Sequence, residues 1–170
     1  MSQVKEILVE ELQDLLHAEQ QLVAALPKMA KAAHNPRLRE VFEKHLVQTQ
    51  GQVERLQQVF ELLGEPAEPK PCRAMMGLVE EAQETIEEGG DKEELGADLA
   101  LITAAQKTEH YEISGYGTVR ALARQLGELD AEKLLSHTLG EEESADFLLT
   151  EVAKPLLQQA LAEDLEAVAE

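Results

Sequence analysis

The sequence has no tryptophan, a single cysteine and only 3% aromatic residues. One thiol excludes an internal disulfide framework. Val, Ile and Thr are scarce beside Leu, Ala, Glu and Gln, a mixture that favours helix over strand. Positive charge is also in short supply: 15 Lys and Arg stand against 34 Asp and Glu, a formal net charge of −19. Such a surface repels phosphate backbones and anionic lipid heads, so neither nucleic acid nor membrane is expected as a partner, whereas cations are attracted. No apolar run nears the roughly 20 residues of a spanning helix. The start, MSQVKEILVEEL, lacks the basic-then-apolar order of a secretory leader. These absences predict a soluble cytoplasmic protein. Cys72 reads as a half-buried small residue and not a nucleophile, since no His lies near it in sequence.

What is present is helical periodicity. The 170 residues, 44% of them apolar, suffice for a single domain, 1–170, with a sizeable core. A first helix is predicted over about 3–33, its stripe running Leu8, Leu12, Leu15, Leu22, Leu26, Met29, with Pro27 expected to bend the last turns. Asn35-Pro36 caps and restarts the chain into a second helix, about 36–63, which stops at Gly64. GEPAEPKP then breaks the pattern. A short amphipathic helix over about 74–87 follows, and long ones over about 92–126 and 130–161, with Asp130 capping the last and Pro155 bending it. The acidic stretch 163–170 is expected to fray. Tight connections make two antiparallel hairpins, and the long link over 65–92 joins them. The predicted fold is all-α, a ferritin-like four-helix bundle of two antiparallel hairpins with a long crossover carrying a short helix.

At about 100° per residue, polar residues can be placed against these stripes. With Glu19 as reference, Leu8, Leu12, Leu15, Leu22, Val23 and Leu26 fall within about 60° of it. With Glu109 as reference, Leu95, Ile102, Ala105, Ile113, Tyr116 and Ala123 fall within about 40°, and Glu112 within about 60°. Around Glu142 cluster Leu135, Leu149, Ala153 and Leu156, with Asp146 on the same face, while Glu141 and Glu143 are expected to meet solvent. The second helix offers no inward carboxylate; its core-facing polar residues are His45, Thr49 and Gln52. All these positions fall near the middle of the bundle.

Several carboxylates cannot be buried together ionised and uncompensated. The basic candidates on the core faces, Arg120 and His45, are too few to neutralise Glu19, Glu109, Glu112, Glu142 and Asp146. Either protons enter or cations do. One or two ions would suffice: hard oxygen ligands suit iron, manganese, magnesium or calcium, one His tilts the choice towards iron or manganese, and carboxylates of facing helices are how bundles hold a metal pair. The candidate metal ligands are Glu19, Glu109, Glu112, Glu142, Asp146 and His45, with Gln52 weaker; no organic cofactor is called for. The bland alternative is a structural cluster that shares protons or pairs with Arg120. Tyr111 and Tyr116 read as packing residues, Tyr116 within reach of a site carboxylate.

The segments LHAEQQLVAALPKMAKAA (16–33), HLVQTQGQVERLQQVF (45–60), CRAMMGLVEE (72–81), EHYEISGYGT (109–118) and LGEEESADFLLTEVA (139–153) together resemble the YciE/YciF-type ferritin-like family, a domain of unknown function. The resemblance implies a ferritin-like bundle, a homodimer, a rubrerythrin-like dimetal site and an association with bacterial stress responses. It implies no established reaction. A metal-dependent protein acting on oxygen or peroxide, or oxidising iron, is the first expectation. The second is a non-catalytic structural or interaction bundle with a degenerate site. The usual di-iron pattern has one Glu on each of two helices and Glu-x-x-His on the other two. Here Ala145 stands where one His would fall, and Thr49 and Gln52 occupy the Glu-x-x-His spacing of the second helix.

Overall fold

Several helix boundaries have a clear local cause. The computed structural model describes residues 2–169, and among them there are five helices and no strand. Helix α1, Gln3–Ala32, begins behind Ser2, whose hydroxyl accepts the Lys5 amide. Helix α2, Pro36–Leu63, begins behind Asn35, whose side chain accepts the amides of Arg37 and Leu38. It ends at Gly64, at φ 68°, a left-handed cap that a side chain would strain. Helix α3, Arg73–Gly89, is capped by the Cys72 sulfur, which accepts the Met75 amide. Helix α4, Glu94–Leu126, ends at Gly127, at φ 78°, and α5 covers Leu129–Ala169.

Three expectations need correction. Asp130 is not the cap of the last helix but lies in its first turn, where an acid complements the helix dipole. The acidic stretch from 163 does not fray: α5 stays helical through Ala169, with Gln159 bonded to Glu163 one turn on (2.9 Å) and good helix formers around it. Glu170 lies outside the described residues. Cys72 is fully buried and not half-buried, because α3 folds back over α1 and α4 at that point.

The long helices pack in a ring: α1 on α2, α2 on α5, α5 on α4 and α4 on α1, with α3 lying against α1 and α4. Direction follows from contacts. Leu15 of α1 meets Gly115 of α4, while Asp98 near the start of α4 accepts the amides of His34 and Asn35 just past α1 (2.8 and 2.7 Å). So α1 and α4 are antiparallel, as α1 and α2 must be across their tight turn. Helices α2 and α4 therefore run the same way, and the segment 65–92 has to return the chain along the length of α2.

The core is divided. One apolar cluster holds Leu22, Leu26, Met29, Phe42, Leu101 and Leu149 among others. A second holds Leu8, Leu12, Leu15, Leu56, Phe60 and Leu135. Glu19, His45, Thr49, Gln52, Glu109, Glu112 and Glu142 fall between the two along their helices, and all are buried. A polar layer thus crosses the waist of an otherwise apolar interior.

Close approach of α1 and α4 beside this layer depends on Gly115: a Cβ there would stand 2.8 Å from a methyl of the buried Leu15. At Gly117, two residues on in the same helix, a Cβ would meet nothing within 4 Å. We expect Gly117→Ala to raise unfolding free energy by about 0.5–1 kcal/mol through helix propensity. Gly115→Val should lower it by about 2 kcal/mol through overpacking. Urea denaturation of both variants checks the pair; a neutral Gly115→Val would show that the helices do not touch there.

Candidate metal centre

Four helices each deliver at least one polar side chain to the layer. His45 Nε2 lies 3.2 Å from Glu109 Oε1 and 3.5 Å from Glu142 Oε2. With Glu112 these residues form a buried group whose potential ligand atoms all lie within 4.8 Å of one another. Glu19 borders the group from α1, held by a hydrogen bond from the Tyr116 hydroxyl to its Oε1. The Gln52 amide donates to Glu142 Oε1 and to Glu141 Oε2 (3.1 Å). The Thr49 hydroxyl is turned to its own helix and donates to the His45 carbonyl (2.9 Å).

Each of these bonds fixes one atom and leaves another uncommitted. Glu19 Oε2, His45 Nε2, Glu109 Oε2, Glu142 Oε2 and both oxygens of Glu112 are buried with no hydrogen-bond partner among protein atoms. His45 Nε2 is near two carboxylates, but not aligned on either. A buried polar atom left so costs about 1–3 kcal/mol. Such atoms gathered in one place are what a cation requires.

Electrostatics agree. Burial pushes the carboxyls of Glu19, Glu109 and Glu112 well above the usual carboxylate range, and repulsion from Glu142 adds to it in each case. Burial and the neighbouring Glu19 likewise push the Tyr116 hydroxyl up, keeping it a hydrogen-bond donor.

The family model for "Domain of unknown function (DUF892)" matches residues 3–162. The chain is 46% identical over 154 residues to Protein YciF of Escherichia coli K12, covering 90% of this chain and 92% of that one. The chain belongs to the DUF892 family. Its fold superposes on the crystal structure of the E. coli stress protein YciF with a TM-score of 0.88 at 43% identity, covering 93% of this chain and 99% of the other. YcfI from Rhodopseudomonas palustris gives 0.83 at 40%, covering 88% and 94%. A Xanthomonas campestris protein at 23% identity, TM-score 0.72, covers 96% and 99% and shares the fold.

In this DUF892 chain the structure brings together Glu109, Glu112, Glu142 and His45, with Glu19 and Gln52 adjoining. Asp146 is placed elsewhere. Its carboxylate is partly exposed and accepts from Gln106 (3.0 Å), with His110 3.3 Å away. Arg120 does not reach the layer either; it is exposed. The buried face of α4 is centred nearer Glu112 than Glu109, because α3 also covers Ala97, Leu101, Ala104 and Thr108. That rotates Arg120 outward.

The cation the sequence did not single out is Arg55. Its guanidinium holds Glu141 through two hydrogen bonds (2.8 and 2.9 Å) and also binds Thr138. Glu141 is therefore drawn to the α2–α5 seam and is largely buried, its side chain 16% exposed, contrary to its expected place in solvent. The available signal was weak: Arg55 follows Gln52 by one helical turn and flanks the polar face.

Glutamate in the unfolded chain titrates near 4.5, and these three titrate well above that when folded. Between the two values the native state binds more protons than the unfolded one, so stability falls as pH rises. The contribution is complete below about 4.5 and is lost as pH climbs through the folded-state values. Metal-free protein should therefore melt at lower temperature at about pH 8 than at about pH 5. Glu112→Gln should raise the melting temperature at the higher pH and reduce this slope. An unchanged slope in the variant would show that Glu112 does not carry a proton in the fold.

Proposed function

We propose that this chain is a ferritin-like dimetal-carboxylate protein of stress responses, acting on oxygen or peroxide or oxidising iron. Glu19, His45, Glu109, Glu112 and Glu142 would hold iron or manganese within the four-helix bundle. The observation that carries the reading is the convergence, from four helices, of buried oxygens and one imidazole nitrogen that no protein donor or acceptor satisfies. Oxygen donors with one His fit these metals better than zinc or copper. Bound there, such ions supply reversible electron transfer toward oxygen or peroxide.

The chain's own part is positional. Gln52 holds one oxygen of Glu142 and Tyr116 one oxygen of Glu19, in each case leaving the other free. Glu112 has both oxygens free and would offer both to a bound cation. The two apolar clusters keep water from either end of the layer. The homodimer implied by the family resemblance belongs to the same proposal.

A second reading has its own support. Thr49 and Gln52 fill the positions of α2 where a Glu-x-x-His pair would complete the site, and Gln52 already gives its amide to Glu142. That favours a structural bundle whose acids are held by protons and amides.

Anaerobic loading with ferrous iron followed by elemental analysis separates the readings. The dimetal reading expects about two irons per chain. Glu142→Ala should lose most of the metal, and peroxide consumption should fall with it. Replacing Glu109, Glu112 and Glu142 by Leu or Met with no change in iron content or peroxide turnover would leave the structural reading in its place.

A further inference from the structure

The cleft where α1 ends, α3 ends and α4 begins has a volume of about 570 Å³ and is lined by three lysines, Lys28, Lys31 and Lys92, together with His34. Among the described residues no carboxylate lines it, although the chain has 34 acids and only 15 Lys and Arg. Lys92 is already paired with Glu88 (3.1 Å), and His34 lies 3.8 Å from Glu94. Lys28 and Lys31 make no ion pair among the described residues. On a surface this acidic, two ammonium groups one turn apart, unpaired among the described residues, give the cleft a local positive charge.

The rest of the cleft is mostly apolar and continues. Ala32, Ile86, Ala97 and Leu101 line it, with Gln83 and Thr85 as the uncharged polar side chains. A second groove of about 330 Å³ adjoins it between α1 and α3, sharing Lys28, Gln83 and Ile86. That groove is lined by Ala25, Met29, Met76, Val79 and Ala82, with Glu80 its one carboxylate among the described residues. Cavities of about 300–1,000 Å³ with apolar walls and a few placed charges are the usual form of small-ligand sites. None of these residues belongs to the acid layer. Methionines at two points of the groove suit a flexible hydrocarbon.

We propose that this cleft binds a single-chain fatty carboxylate. The head would lie on Lys28 and Lys31, and the chain would run along the α1–α3 groove towards Met76. Charge at one end excludes a neutral lipid, and the apolar extension excludes a small anion as the full ligand.

Calorimetric titration of the whole protein with laurate, below its micelle concentration, tests this. Saturable binding of one laurate per chain is expected, at least tenfold tighter than 1-dodecanol, with acetate and inorganic phosphate not competing at equal concentration. Lys28→Glu combined with Lys31→Glu should weaken laurate at least tenfold. Met76→Glu, at an exposed position, should do the same by placing a charge in the path of the chain. Unchanged melting temperature and metal content in both variants show that fold and acid layer are intact. Equal affinity for dodecanol, competition by phosphate alone, unsaturable uptake, or indifference to either variant would each overturn the proposal.

Discussion

A carboxylate removed from water must have a proton or a cation. Five glutamate and histidine side chains cross the waist of this bundle, and the nearby permanent cation, Arg55, is already engaged by Glu141 and Thr138. Everything around the layer can be read against that constraint. The apolar clusters above and below make the burial, and hence the high proton affinity of Glu19, Glu109 and Glu112. Gly115 lets α1 come close enough to α4 to add Glu19 to the group. Tyr116 and Gln52 orient what would otherwise repel.

This arrangement opposes stability. Uncharged leucines in the same places would cost nothing in desolvation. Retaining the acids makes sense if a cation replaces the protons in use, because binding then satisfies atoms that the protein leaves open. Stability and metal occupancy would then be two expressions of one equilibrium. The family relationship to the E. coli stress protein YciF is compatible with this, and the geometry narrows it to a particular set of atoms.

Much of this was legible in the sequence, for a physical reason. Long helices with dense apolar stripes fix the angular position of each residue, so Glu19, Glu109, Glu112 and Glu142 could be assigned inward from rotation alone. Angle does not give reach. Asp146 shares the face of Glu142, but it is short, lies one turn on, and is taken by Gln106 and His110 of α4. Arg120 failed because a wheel centred on Glu109 ignores α3, which widens the buried face on the other side. Arg55 with Glu141 depends on which helices become neighbours, and periodicity within one helix carries no such information. Cys72 was misplaced for the same reason: its burial comes from the return of the crossover over α1, where its amide meets His17 (3.0 Å).

Proton release on metal binding is the deciding measurement. Metal-free protein in weakly buffered anaerobic solution would be titrated with ferrous iron near neutral pH while the protons liberated are counted. Saturable binding is expected, with protons released in step with iron, because the cation would displace protons from the buried glutamates. Iron that binds without proton release, or fails to bind saturably, would contradict it.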